Sequence, residues 1–247
     1  MGKQTMHPHM KKIFFAALLV LGLGASAQKT IHDDMAQVRT VTSFHGIRVQ
    51  AGIDLYLSEG EPAVAVSGRT TEFRERIRTT VENGILRIWY ETSGGGGVVW
   101  GNGRNLKAYV SAKMLDQLSA SGGSDVYVDG TLRAQSLRLD LSGGSDFKGA
   151  VAVQADLQAD LSGGSDANIT GTAASLKVSA SGGSDFKGLG LTVETCTAEA
   201  SGGSDVDVTV NREIRARASG GSDVHYRGAA TLTESHKSGG SDIGKRG

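Results

Sequence analysis

The five-residue sequence Ser-Gly-Gly-Ser-Asp occurs seven times in this chain, and its spacing constrains the fold more than any other feature. The copies begin 18 to 21 residues apart, at Ser121, Ser142, Ser162, Ser181, Ser201, Ser219 and Ser238. A nearly constant period of about 20 residues is typical of one supersecondary unit stacked on copies of itself. Such a chain builds an elongated surface rather than a single pocket.

Apolar and polar residues alternate on both sides of each copy, which predicts a strand before it and a strand after it. Apolar Phe147 is followed by Lys148, for example, and leucines alternate with Arg138 and Asp140 over residues 137–141. The glycine pairs suit sharp corners, because glycine tolerates positive φ. We therefore predict an all-β, single-stranded β-helix or β-solenoid with a period of about 20 residues. A flexible Gly/Ser linker is the alternative.

The chain begins with the pattern of a secretory signal peptide. Lys11 and Lys12 precede the apolar run of residues 13–23, and Ala25-Ser26-Ala27 is a small-residue cleavage site. We predict a signal peptide over residues 1–27 and an exported protein that is periplasmic, on the cell surface or extracellular. No second apolar stretch is long enough for a membrane span.

Three segments follow the predicted signal peptide. Residues 28–37 form a flexible N-terminal segment, and residues 38–114 alternate without the repeat signature, which predicts irregular N-terminal coils of the same solenoid. A separate small β-domain is the alternative for this part. Residues 115–247 form the regular repeat, and its last coil carries Thr233, Ser235 and Lys237 where apolar residues are expected, as in a polar C-terminal cap.

Charge and cysteine content exclude several classes of protein. Without residues 1–27 the chain has 23 basic and 26 acidic residues, which gives no reason to expect nucleic-acid binding. Cys196 is the only cysteine, so an intramolecular disulfide is impossible. It falls in a predicted inward column and is interpreted as a small buried hydrophobe.

The aspartates that end the copies should form one column along the solenoid, where their charges repel one another. Hydrogen bonds from turn amides and serine hydroxyls are one compensation. Bound Ca²⁺ between the coils is the other, and it would be the only cofactor. The candidate calcium ligands are Asp125, Asp146, Asp166, Asp185, Asp205, Asp223 and Asp242.

Two tryptophans are candidate ligand contacts, and two aspartates are candidate catalytic acids. Trp89 and Trp100 flank a glycine run, where an exposed indole could stack on a sugar or a protein partner. Asp140 and Asp160 fall on one predicted face, as a glycoside hydrolase of the β-helix type would require. Charged residues on a solvated strand face are usually only solvated, so we expect no enzyme.

The chain resembles the family of putative auto-transporter adhesins with a head GIN domain over about residues 38–243. The resemblance is carried by residues 44–49 (FHGIRV), 52–57 (GIDLYL) and 83–88 (NGILRI), and by the Gly/Ser/Asp turns. It implies an exported β-solenoid-like protein with an adhesive or envelope role, and no catalytic residues.

These observations favour a non-enzymatic binding or structural protein of the cell envelope. Its partner is a surface, a glycan or a protein, and its solenoid ends are candidate sites of self-association. The alternatives are a calcium-stabilised extracellular module and a β-helix carbohydrate-active enzyme.

Overall fold

The computed structural model describes residues 32–92 and 103–246. The predicted signal peptide and the glycine run with Trp100 lie outside these residues. The elements before the first full repeat are β1 (Gln37–Arg39), β2 (Gly46–Gln50), β3 (Ile53–Glu59), β4 (Ala63–Ser67), α1 (Thr71–Glu75), β5 (Ile77–Glu82), β6 (Ile85–Tyr90) and β7 (Leu106–Ala112). The repeat contributes β8 (Gln117–Ser121), β9 (Val126–Ala134), β10 (Leu137–Ser142), β11 (Phe147–Ser162), β12 (Ala167–Ser181), β13 (Phe186–Gly202), β14 (Asp205–Gly220), β15 (Asp223–Arg227), β16 (Thr231–Gly239) and β17 (Asp242–Lys245).

The strands form a β-solenoid of about six turns, which confirms the predicted fold class. Each Ser-Gly-Gly-Ser-Asp copy is a corner between two walls of parallel strands. Wall A consists of the strands that enter the corners, beginning with β6, β2, β8 and β10, and wall B of the strands that leave them, beginning with β7, β3 and β9. Strands β11 to β14 are long enough to run along wall B and then along wall A of the same coil.

The first coils do not stack in the order of the chain. Strand β2 pairs with β6 on one side and β8 on the other, and β3 likewise lies between β7 and β9. The coil formed by β2 and β3 is therefore inserted between two coils that come later in the sequence. Beyond them, antiparallel β5 covers β6, β4 covers β7, and β1 covers β4. This antiparallel layer closes the N-terminal end of the solenoid.

Alternating inward residues fill a thin core between the walls. On wall B the bulky Phe147 and Phe186 are in register with the small Ala167 between them, and all three are buried. Each phenylalanine lies close to a glycine two residues later, so that a methyl group on Gly188 would come within 2.4 Å of the Phe186 ring. The core thus holds large rings in a narrow coil by pairing each with a residue that has no side chain.

Polar side chains occupy the inward columns of the last coil. Ser235 is in register with Ala216 and Lys237 with Ala218, and β16 is exposed along almost its whole length. A register shift places Leu232, rather than Thr233, beside Ile214. Along the described part of the chain, the short α1 is the only helix, and none could cross a lipid bilayer.

Candidate binding surfaces

The second serine of each corner is buried and links neighbouring coils. Its backbone amide donates to the hydroxyl of the equivalent serine in the next coil, as in Ser124 to Ser145 Oγ (3.0 Å) and Ser145 to Ser165 Oγ (3.1 Å). The fully buried members of this serine ladder are Ser124, Ser145, Ser165, Ser184, Ser204 and Ser222. A buried polar group is tolerated only when it is hydrogen-bonded, which explains why serine and not alanine recurs at this position.

The corner aspartates form a second ladder whose hydrogen bonds run in the opposite direction. The Asp146 amide donates to Asp125 Oδ1 (3.2 Å), and the Asp166 amide donates to Asp146 Oδ1 (3.1 Å). The same contact joins Asp185 to Asp166, Asp223 to Asp205, and Asp242 to Asp223. All seven aspartates therefore lie in one column, as the repeat predicts. In most of them, one carboxylate oxygen accepts a hydrogen bond from a backbone amide of the next coil.

Within this aspartate ladder, the pKa of Asp146 reflects both burial and repulsion between neighbouring carboxylates. Partial burial raises the pKa of Asp146 above its usual value, and the charges of Asp125 and Asp166 add to the effect. Lys187 opposes it farther along, with its Nζ atom 2.6 Å from Asp166 Oδ2 and 3.3 Å from Asp185 Oδ2. Within residues 32–92 and 103–246, no three acidic, histidine or cysteine side chains are grouped so that they could hold a metal ion. The calcium hypothesis stays a prediction.

An eighth corner precedes the seven copies, and its sequence does not reveal it. Ala51 and Gly52 have φ values of 69° and 72°, close to the 65° and 73° of Gly122 and Gly123. The Ile53 amide donates to Ser124 Oγ (3.1 Å), as a corner serine would. Residues 50–54, Gln-Ala-Gly-Ile-Asp, thus form a degenerate copy, whose Asp54 extends the acidic column. Burial raises the pKa of Asp54, and the Asp125 charge raises it further.

Three tyrosines from this inserted coil and its two neighbours form a stack on the outer surface of wall B. Tyr56 lies between Tyr109 and Tyr127, with ring centroids 5.3 Å apart on each side. Because the ring faces cover one another, the stack presents mainly ring edges to solvent, and the Tyr109 hydroxyl donates to Asp33 Oδ2 (2.8 Å). The Tyr127 hydroxyl donates to Asp125 Oδ2 (3.3 Å), and burial together with nearby carboxylates raises the tyrosine's pKa to about 12. The sequence has a tyrosine at the same strand position in all three coils, which could have indicated the stack. It was not predicted, because these coils do not stack in the order of the chain.

Trp89 lies on the outer surface of wall A, partly exposed and surrounded by arginines. The Arg87 guanidinium carbon is 5.5 Å from the centroid of the indole ring, and Arg78 faces Trp89 on the adjacent strand β5. Cationic guanidinium groups interact favourably with the indole ring. Trp100, the second predicted ligand contact, lies outside the described residues.

The candidate catalytic acids are engaged in ion pairs. One nitrogen of Arg138 lies 2.8 Å from both Asp140 and Asp160 on the outer surface of wall A. A shallow depression of about 180 Å³ lies farther along the same wall, lined by Thr197, Ala198, Glu199, Arg215, Arg217 and Glu234.

The thiol of Cys196 is buried, which raises its pKa to about 12 and leaves it unreactive.

Several solved structures have a similar fold. A putative adhesin from Bacteroides fragilis has a TM-score of 0.77 at 18% identity, with 85% of this chain and 96% of that chain covered. A putative lipid binding protein from Parabacteroides distasonis has a TM-score of 0.64 at 14% identity (86% and 96% covered), and a putative adhesin from Parabacteroides merdae has 0.61 at 14% (86% and 95%).

Likeness at these identities establishes the shared fold alone. No functionally curated protein matches the sequence. The family model described as putative auto-transporter adhesin, head GIN domain, matches residues 43–230. The chain therefore belongs to the head GIN domain family of putative auto-transporter adhesins.

Proposed function

We propose that this is an exported, non-catalytic binding protein of the adhesin type. Its N-terminal coils and the first coil of the repeat contact the ligand, and the later coils act as a rigid spacer that holds them away from the far end. Membership of an adhesin family supports the general class. Where the ligand binds is inferred from the distribution of aromatic side chains.

The aromatic side chains that reach the outer surfaces all belong to the first coils. Across the described residues, those after position 128 are Phe147, Phe186 and Tyr226, and all three are buried. Tyr56 and Tyr127 are 36% and 37% exposed, and Trp89 is partly exposed. Exposed aromatic rings on rigid strands are favourable contact residues, because they bury a large area and lose little conformational entropy.

Outward positions of the regular coils carry small or charged residues instead. The tyrosine column continues from Tyr127 into Lys148, Asn168 and Lys187. Solvated charges and short polar side chains keep a repetitive surface soluble and offer little apolar area for a contact. The regular coils therefore suit a spacer rather than a contact surface.

Binding of the mature chain, residues 28–247, to bacterial envelope fractions tests the proposal. We expect Tyr56→Ser combined with Tyr127→Ser to lose most of the retention. The matched control combines Lys148→Ser with Asn168→Ser, which change the same column of wall B in the regular coils, and it should bind as the unmodified protein does. Equal loss in both double variants would assign the contact to the repeat instead, and circular dichroism would establish that each variant is folded.

A further inference from the structure

Two arginines face outward at the same position of adjacent strands on wall A. Arg48 of β2 is directly in register with Arg87 of β6, so the bases of the two side chains lie about 4.8 Å apart, the distance between neighbouring strands. Like charges at such positions repel each other. Folding alone therefore gives no reason for this pair, which makes it a candidate for binding an anion.

The acidic residues nearby neutralise only part of this charge. Arg87 pairs with Glu82 (2.7 Å) and Arg78 with Glu91. Arg48 is exposed, and no ion pair to it is found among the residues that the structure describes. The Arg48 guanidinium group, on the strand next to that of Arg87 and Trp89, thus remains unmatched by a carboxylate.

Guanidinium and indole groups together match the chemistry of an acidic sugar. Arginine binds a carboxylate through two parallel hydrogen bonds, which fixes its orientation. The indole offers an apolar surface for the carbon face of a sugar ring. A chain of such sugars can cross neighbouring strands and meet both arginines.

We propose that Arg48, Arg87 and Trp89 form a binding site for a carboxylate-bearing polysaccharide. This inference rests on the proposed function and names the class of ligand for one of the two aromatic surfaces. The patch formed by these three residues lies on wall A, away from the tyrosine stack of wall B, so the two surfaces can be tested separately.

Charges farther along the same row confine the ligand to the N-terminal coils. The row continues from Arg48 through Ser119 to Asp140 and Asp160. These carboxylates repel a polyanion, even though Arg138 neutralises part of their charge. The site therefore ends where the regular coils begin.

Calorimetric titration of the mature chain with polygalacturonate fragments, with dextran fragments of equal length as the neutral comparison, tests the site. We expect binding of the polyuronate that weakens with added salt, and no binding of dextran. Arg48→Gln and Trp89→Ala should each weaken polyuronate binding about tenfold or more, since a hydrogen bond to a charged group or a stacked ring is lost. Lys177→Gln, an equal change of charge on wall A within the repeat, should leave it unchanged.

Two further measurements distinguish failure of this binding site from failure of the proposed function. Arg48→Gln should unfold at the same temperature as the unmodified chain or higher, because it relieves the repulsion with Arg87. Polyuronate binding that is absent, or that is equal in Arg48→Gln and Lys177→Gln, overturns the site. If envelope fractions still retain the protein in that case, the proposed function stands without this ligand, and if they do not, both fail.

Discussion

At the scale of single residues, the buried corner serines supply hydrogen bonds at the point where the backbone bends away from regular pairing. The Ser165 hydroxyl accepts from the Ser145 amide (3.1 Å) inside the core. Ser165→Ala should lower the free energy of unfolding by about 1–3 kcal/mol, because it leaves that amide buried without a partner. Ser162→Ala is the matched control, since Ser162 belongs to the same corner and is exposed. Urea unfolding that shifts equally for both variants would contradict a structural role of the ladder.

The two glycines of a corner should differ in what they tolerate. Both Gly163 and Gly164 have positive φ values, 70° and 76°, which cost a residue with a side chain about 1–2 kcal/mol. A methyl group on Gly163 would also lie 3.1 Å from the Gly143 backbone nitrogen of the preceding coil, whereas one on Gly164 would meet nothing within 4 Å. Gly163→Ala should therefore lower the melting temperature more than Gly164→Ala. The reverse order would show that coil spacing adjusts freely at the corner.

The residue pattern predicted the strands well, because alternating side chains define them. It predicted the corners poorly, because it does not determine their backbone φ angles. Ser-Gly-Gly-Ser-Asp is the same in all seven copies, yet it adopts two conformations. Both glycines have positive φ in the first four copies, and only the first glycine has it from Gly202 onward. In the described chain, the aspartate contact is missing at this junction, between Asp185 and Asp205. Five identical residues cannot encode this difference, so it must depend on residues outside the repeated five.

At the scale of elements, the aspartate ladder combines useful hydrogen bonds with unfavourable charge. Asp146→Asn keeps an oxygen that can accept from the Asp166 amide and removes one charge, so it should leave stability at pH 7 unchanged or increase it. Asp146→Ala loses the acceptor and should cost about 0.5–1.5 kcal/mol. Chemical denaturation of the two variants distinguishes hydrogen bonding from charge. Greater destabilisation by asparagine than by alanine would contradict this account of the ladder.

The difference in stability between Asp146→Asn and the unmodified chain should depend on pH. Because the pKa of Asp146 is raised on folding, its protonated form is favoured in the folded state. Its contribution to stability is therefore fully present below the unfolded value of 3.8 and is lost as the pH rises through the raised folded value. The advantage of Asp146→Asn over the unmodified chain should shrink as the pH falls from 7 through that folded value. An advantage that is constant with pH would show that the Asp146 carboxyl is not perturbed.

The tyrosine stack is a surface feature that was not predicted from the sequence. Tyr56, Tyr109 and Tyr127 are separated by 53 and 18 residues along the chain, and only the inserted position of β3 makes them neighbours. Trp89 was chosen as a candidate because it flanks the glycine run, but Arg48 on the neighbouring strand was not. Pairs that depend on the order of strands cannot be read from alternation, which reports only the direction in which each side chain points.

At the scale of the whole molecule, hydrogen bonds at the corners link each coil to its neighbours. We expect the melting temperature of residues 28–247 to be the same in millimolar calcium and in EGTA, with a β-rich circular dichroism spectrum in both. The corner carboxylates accept backbone amides, so their charge is already partly compensated. A large increase with calcium would instead make the aspartate column an ion site and support the alternative of a calcium-stabilised module.

The inserted coil has a consequence for the order in which the protein can fold as successive parts of the chain become available. A stack of repeats built in chain order can add each coil to the one before it. Here β2 and β3 precede in the sequence all the strands that lie on either side of them. The last of those neighbouring strands, β9, ends at Ala134. The chain must therefore be available as far as Ala134 before the first coil is fully enclosed. The coils that we propose to bind the ligand are thus among the first to emerge and cannot be completed until the repeat has begun.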